Sequence, residues 1–350
     1  MKLNVLVTAP GGALASGIVK ALRLTPFEFR LITASGFPWG AALYAADRGV
    51  IVPQTADDSY IPAIKRICAE ERIDAVFAGS AHEALLLSHV RDEIHHETGA
   101  TVMVSDTDTI MVGYDRWLSV RFLKAGGFNY PETVQAGDRN AVVRMVGRFG
   151  YPVVVKSRMG FNAGGLVVAG DEETLEFAIR RPKGLLVQEY LPNNDGEYAV
   201  GLFIKRDGVI GGAICMRRVD ASGSMVVMEA ADAPEVGAEA GRVAAAVRPA
   251  GPCTVRIRMT DRGPVTFAVE PYCSAETGAR AAFGFNEVEA AIRHYLLGED
   301  VGPVCGREGM FVRYYDEVLV HLEGPRSKGA GAPREAEHVM PPEVQKAPLA

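Results

Sequence analysis

Cysteine is scarce in this chain: five residues among 350, at Cys68, Cys215, Cys253, Cys273 and Cys305, with no C-x-x-C spacing. An odd, scattered set argues against a disulfide framework or a zinc ribbon, and reduced cytoplasmic thiols are the expectation. Basic excess is lacking as well. A formal charge of -6 argues against a surface that tracks nucleic-acid phosphates, which is basic overall. Long apolar runs are also missing, since no stretch approaches the roughly 18–20 residues that a membrane span requires. The N-terminal MKLNVLVTAPGGALASG has no long apolar segment with a cleavage site, so it reads as a first β-strand rather than a targeting signal. With 48% hydrophobic and 23% charged residues, the chain has the composition of a soluble globular protein, and its length predicts two or three domains.

The first hundred residues alternate strand and helix. Leu3–Thr8 is a short apolar run that enters the turn Pro10–Gly12. Ile18, Ala21 and Leu22 then recur at helical spacing. Strands at Arg30–Ser35, Asp74–Ala78 and Thr101–Ser105 flank helices at Tyr60–Glu71 and Glu83–His96, an order that predicts a parallel sheet with helices on both faces. The glycine turn after strand one reads G-G-x-x-x-x-G. It is a tight strand-to-helix turn rather than a dinucleotide fingerprint, because no acidic residue ends the second strand.

From Asp115 the texture changes. Helices are expected at Asp115–Gly126, Asn140–Phe149, Asp171–Ile179 (with Asp171 as N-cap), Pro234–Val247 and Asn286–Leu297. Strands are expected at Pro152–Lys156, Leu166–Ala169 and Leu185–Glu189. Two hairpins turn at Asp207-Gly208 and at Asp261–Gly263. The segment from about Glu323 is rich in Pro, Gly, Ala and charge, and is expected to be a flexible tail.

Four pieces in this half stand in a fixed order: YDRWLSVRFLKAGGFNYP from Tyr114, GYPVVVKSRMG from Gly150, VQEYLPNNDGEYAV from Val187 and AAFGFNEVEAAIRHYLLGE from Ala281. Together they resemble the ATP-grasp superfamily, in the branch similar to carbamoyl phosphate synthetase large chains and small amino-acid ligases. The resemblance runs to about residue 320. It implies an α/β architecture: a Rossmann-like pre-ATP-grasp domain (1–110), an ATP-grasp small lobe (111–185), a C-terminal lobe (186–322) and the tail (323–350). It also implies an ATP-dependent carboxylate–amine ligase acting on small molecules, with ATP and Mg²⁺ as cofactors and a homodimer or a partner ligase subunit as possible assemblies.

ATP carries about four negative charges, so its site must supply cations and N–H donors. Lys156 ends a buried strand, where a lone ammonium makes little sense as packing, and the resemblance makes it a phosphate donor. Arg116 stands where the family usually has lysine and is a second phosphate contact. Gln188, Glu189 and Leu191 fall on the segment that receives adenine, and Glu197 matches the acid that accepts from ribose hydroxyls. Arg280 is a candidate for holding the acid substrate. Arg217 and Arg218 are candidate contacts at a strand end expected to face the cleft. The loop Gly160–Gly165 corresponds to a flap over the phosphates, without the relatives' small-residue and arginine pattern. Met216, Met225 and Met228 read as lobe packing.

The metal ligands depart from the pattern. Where relatives place an acid or amide and then Glu-x-Asn, this chain has Arg256, Ala268 and Glu270, with Tyr272 in place of a catalytic arginine. Glu270 is the one surviving metal ligand, with Glu276 as a possible substitute. An arginine at 256 either takes over part of the cation's role, since a guanidinium binds phosphate bidentately, or has drifted onto a decayed site. Two functions therefore remain open: an active ligase, or an impaired relative that binds nucleotide and serves as a partner subunit.

Overall fold

The computed structural model describes residues 2–160, 166–180, 184–192, 196–220, 226–302 and 304–313. The expected flap residues 161–165, Met225 and the tail from 323 lie outside this set.

The N-terminal unit is built from β1 (Lys2–Thr8), α1 (Ala13–Arg23), β2 (Glu28–Ser35), α2 (Ala41–Tyr44), β3 (Arg48–Ile51), α3 (Tyr60–Glu70), β4 (Ala75–Phe77), α4 (Ala81–Thr98) and β5 (Thr101–Val102). Its strands form a parallel sheet ordered β3-β2-β1-β4-β5. Val5, Leu6 and Val7 of β1 are all fully buried, as expected for a central strand covered on both faces. Helix α4 starts on an N-cap: Ser80 Oγ accepts from the Glu83 backbone N–H at 3.2 Å and donates to Glu83 Oε2 at 3.1 Å.

Two short helices follow, α5 (Thr107–Tyr114) and α6 (Arg116–Ala125). Asp115 accepts from the N–H groups of Trp117 and Leu118 and so caps α6. The sequence reading has α6 but not α5, whose eight residues are too few to show a helical period. Both helices lie against the last long strand of the large sheet.

The small sheet contains β6 (Thr133–Gln135), β7 (Val153–Ser157), β8 (Val167–Ala169) and β9 (Leu185–Glu189), antiparallel in the order β6-β9-β7-β8. Helices α7 (Arg139–Phe149) and α8 (Glu172–Ile179) cover one of its faces, where Val153, Val155 and Val187 pack with Val142, Met145 and Leu175. Asp171 caps α8 as expected, accepting from Thr174 N–H at 2.8 Å. Strand β9 belongs wholly to this sheet and straddles the expected lobe boundary at 185/186.

The large sheet follows with β10 (Glu197–Ile204), β11 (Ile210–Asp220), β12 (Val227–Ala230), α9 (Pro234–Val247), β13 (Gly251–Thr260), β14 (Gly263–Glu270), α10 (Thr277–Ala282), α11 (Glu287–Ala291), β15 (Val304–Cys305) and β16 (Met310–Val312). Helix α11 continues as a π-helical turn over Ile292–Leu296. The strand order is β14-β13-β10-β11-β12-β16, with β15 pairing to β11. Helix α9 buries Val236, Ala240 and Val243 against Val200, Leu202 and Val255 on the outer face. On the inner face Ala199, Phe203, Met216 and Met228 share one core with Val5, Ile18 and Leu22 of the N-terminal unit. Met216 and Met228 are therefore packing residues, as expected. No helix among the described residues is long and apolar enough to cross a membrane.

Candidate functional site

Strand alternation decides which side chains reach the cleft. On the small sheet, Val153, Val155 and Val187 point to the α7–α8 core, so Lys156 and Gln188 share the opposite face. Lys156 is 9% exposed and its Nζ donates to Gln188 Oε1 at 2.8 Å. Gln188 Nε2 in turn donates to Thr133 Oγ1 at 2.8 Å. Burial, followed by the repulsion of Arg116 and Arg258, lowers the Lys156 ammonium to about 7.

Arg116 comes from the first turn of α6, and its Nη1 donates to the Ser157 carbonyl at 2.6 Å. Asp115 beside it is buried and takes a side-on pair of bonds from Arg158, with Nη2–Oδ2 at 2.6 Å. This tie fixes the end of β7 to the start of α6, and so places Arg116 next to Lys156.

The large sheet supplies the opposing wall. Glu197 of β10 lies opposite Arg218 of β11 and Arg258 of β13 in one rung of the ladder. Its carboxylate accepts from Arg218 Nη1 at 3.1 Å and from Arg258 Nη2 at 2.7 Å. Arg258 Nη1 also donates to the Leu191 carbonyl at 2.7 Å, tying the linker between the lobes to the large sheet. Glu189 accepts from Arg262 Nη2 at 2.7 Å and from the Glu132 N–H at 3.0 Å, while its own N–H goes to the Glu132 carbonyl. Lys156, Gln188, Leu191, Glu197, Arg116 and the main chain of Glu189 are thus brought to one crevice, whereas the Glu189 carboxylate, on the strand face of Val187, is taken up by Arg262 and Glu132. Arg258 is part of it too. The sequence reading omits this residue, although the R-x-R alternation at 256 and 258 places both on one strand face.

Two expected residues are not brought there. Arg217 is adjacent in β11 to Arg218, and neighbours in a strand point to opposite faces, so only one of them can face the crevice. Arg218 does, whereas Arg217 pairs with Glu229 of β12 on the opposite face, Nε–Oε1 2.8 Å. Arg280 is fully buried together with Glu287. It donates to Glu287 Oε1 at 2.6 Å, to Thr254 Oγ1 at 3.2 Å and to Ser274 Oγ at 3.1 Å, and its stem lies flat against Gly201. It is a core ion pair beneath the sheet and does not reach a ligand in the crevice. Only its Nη1 lacks a partner among the described residues.

The place of the expected metal is filled by an ion pair. Arg256 and Glu270 both lie on the inner face, Arg256 opposite Ala268 and Glu270 opposite Thr254. Arg256 Nε donates to Glu270 Oε1 at 2.8 Å, and Nη2 donates to Glu270 Oε2 at 3.2 Å and to Glu276 Oε2 at 3.0 Å. Burial disfavours the charges, but Arg256 outweighs it and holds Glu276 at about 2. Among the described residues no group of three or more His, Cys, Asp or Glu is placed to hold a metal ion. Mg²⁺ requires octahedral oxygen, and here a guanidinium stands between the two carboxylates. The residues present do not fit a divalent ion. Nearby, the Tyr272 hydroxyl is buried and without a hydrogen-bond partner among the described residues. Burial, with the Glu270 charge, pushes its pKa up, so it stays a neutral donor.

Two antiparallel lobes with a crevice between them, behind a parallel-sheet domain, constitute the ATP-grasp fold with its preceding domain, and the chain has that fold. Residues 11–103 match the family described as PylC-like, N-terminal domain. No curated protein matches the chain in sequence. Among solved structures, N5-carboxyaminoimidazole ribonucleotide synthetase from Thermotoga maritima is 18% identical, covering 87% of this chain and 78% of its own at a TM-score of 0.65. N5-carboxyaminoimidazole synthetase from Staphylococcus aureus complexed with ADP is 15% identical, with coverage of 87% and 81% and a TM-score of 0.68. Biotin carboxylase from Campylobacter jejuni, in a beta-gamma-ATP complex, is 15% identical, with coverage of 88% and 74% and a TM-score of 0.67.

Proposed function

We propose that the crevice binds ATP and that the chain is an ATP-dependent ligase joining a carboxylate to an amine. The observation that carries the reading is the convergence of Arg116, Lys156 and Arg258 from both lobes, with Lys156 buried against an amide rather than a carboxylate. Burying a cation beside two others is costly unless an anion arrives. A triphosphate repays that cost. Lys156 would leave Gln188 for the phosphates, which frees Gln188 Oε1 to accept from the adenine amino group beside Glu189 and Leu191. Glu197 would release part of its arginine pairing to accept from the ribose.

The ligase chemistry follows the solved neighbours, which are a synthetase complexed with ADP and a carboxylase in a beta-gamma-ATP complex. A substrate carboxylate oxygen attacks the γ-phosphorus and ADP leaves. The amine nitrogen then attacks the acyl carbon, a proton is lost and phosphate leaves. Arg116 and Lys156 would neutralise charge on the phosphates during transfer, which is most of what a protein contributes to phosphoryl transfer. The substrates are small molecules, and a cytoplasmic location accords with ATP as co-substrate.

A second reading is favoured by one observation, the Arg256–Glu270–Glu276 ion pairs on the metal position. On that reading the chain binds nucleotide without turnover and acts as a partner of an active ligase. Two measurements separate the readings. Thermal shift with ATP should stabilise the wild type and leave Lys156→Ala unmoved; an unmoved wild type contradicts nucleotide binding. ADP release across a panel of amino acids and amines then supports the ligase, and binding without release supports the partner.

A further inference from the structure

The region around Arg256 is arranged as a cation site whose cation is covalently part of the chain. Nη2 of Arg256 sits between Oε2 of Glu270 and Oε2 of Glu276, at 3.2 and 3.0 Å, and Nε closes a second bond to Glu270 at 2.8 Å. Both carboxylates are nearly inaccessible, and the arginine side chain is 17% exposed. Glu276 is also fixed by Ser274 Oγ at 2.8 Å, so the acceptors are held apart at the spacing the guanidinium needs. Nη1 of Arg256 takes no part in these bonds. A divalent ion entering here would have to displace a guanidinium that makes three charge-assisted hydrogen bonds, and a second cation beside it would be repelled.

The second observation is the orphaned Tyr272 hydroxyl. It is buried, lacks a partner among the described residues, and lies where Glu270, Arg256 and Arg116 all act on it. A buried hydroxyl without a partner loses its hydration, and an arriving phosphate oxygen would restore a bond. Arg256 Nη1, Tyr272 Oη and Arg116 together offer N–H and O–H donors at the end of the crevice where a metal would otherwise bridge phosphates. We propose that Arg256 is a built-in replacement for the divalent cation, so that the chain binds adenine nucleotide in its metal-free form with Tyr272 donating to a phosphate oxygen. This rests on the nucleotide reading of the crevice.

Calorimetry with ATP on the full chain, in EDTA and in millimolar Mg²⁺, tests it. The expected Kd values agree within about threefold, and a Kd tighter in Mg²⁺ by about tenfold or more overturns the inference while leaving nucleotide binding intact. No binding in either buffer overturns the nucleotide reading and this inference with it. Tyr272→Phe, which keeps the buried ring, is expected to weaken ATP in EDTA by about tenfold to a hundredfold, the worth of one hydrogen bond to a charged group; unchanged affinity counts against the tyrosine's part. Mn²⁺ titrated alone and followed by electron paramagnetic resonance should show no bound ion in the wild type. Arg256→Ala, if folded by circular dichroism, should gain one through Glu270 and Glu276. Mn²⁺ bound by the wild type contradicts the replacement whether or not the variant folds.

Discussion

Lys156 concentrates the electrostatics of the crevice in one ammonium. Burial first, then Arg116 and Arg258, bring it from 10.5 to about 7. In the unfolded chain the amine regains its ordinary value, so between pH 7 and that value the unfolded state binds the extra proton. Stability contributed by this group therefore rises with pH across that window, and the cost of the buried charge is fully present below it. Nucleotide binding has the opposite dependence, because a polyanion raises the pKa again. ATP affinity is expected to fall above pH 7, by up to about tenfold per unit while the free protein is neutral and the complex charged. Calorimetry in buffers of different ionisation enthalpy should register uptake of about one proton near pH 8 by that linkage, and Lys156→Ala should abolish it. Arg280 behaves otherwise. Arg280→Ala leaves Glu287 buried and uncompensated and should cost about 3–5 kcal/mol in urea unfolding. It should leave the ATP affinity of the folded fraction unchanged. Lys156 was legible in the sequence because a lysine after three valines has few structural uses. Arg280 was not, since its partner Glu287 meets it only in three dimensions, and Arg217 was misplaced because the register that separates it from Arg218 is set by strand pairing.

Elements with a strong period were read to within a residue or two: α3, α7, α9, β9 and the β13–β14 hairpin. Those missed were short or marginal. Strands β3, β12, β15 and β16 have two to four residues each and sit at or near sheet edges, where pairing rather than pattern defines them. Helix α5 is the most consequential omission, because it seats the Asp115–Arg116 cap on the large sheet. It does so through Gly113, where a Cβ would press on the Pro271 ring and lie 2.7 Å from the Val269 carbonyl oxygen. Gly113→Ala should therefore lift α5 from β14 and destabilise the protein by about 1–3 kcal/mol. The same variant should weaken ATP binding by displacing Arg116. A thermal melt and an ATP titration of the variant check both, and a wild-type melting temperature would show that the seat is looser than its geometry implies.

At the scale of the molecule, three sheets divide the work. The parallel sheet of the N-terminal unit shares a core with the inner face of the large sheet, so these two form the base on which the crevice is built. The small sheet meets the base through cross-lobe bonds such as Arg258 to Leu191 and Arg262 to Glu189. The architecture was legible because βαβ order and the four ordered motifs constrain it tightly. The altered metal position was legible only as a list of changed residues. That Arg256 binds both surviving carboxylates depends on a β-strand register and a turn that no spacing reveals. A second concave basic surface exists, a cavity of about 460 Å³ lined by Arg91, Lys205, Arg206 and Arg248 among others, and it shares no residue with the crevice.

A crystal structure of the chain with an adenine nucleotide tests the central claim most directly. The account predicts phosphate oxygens within hydrogen-bond reach of Lys156 Nζ and Arg116, and the purine edge against Glu189–Leu191. Nucleotide seated in the Arg91–Arg248 cavity instead, or Lys156 still bonded to Gln188 with the crevice closed in saturated crystals, would contradict it.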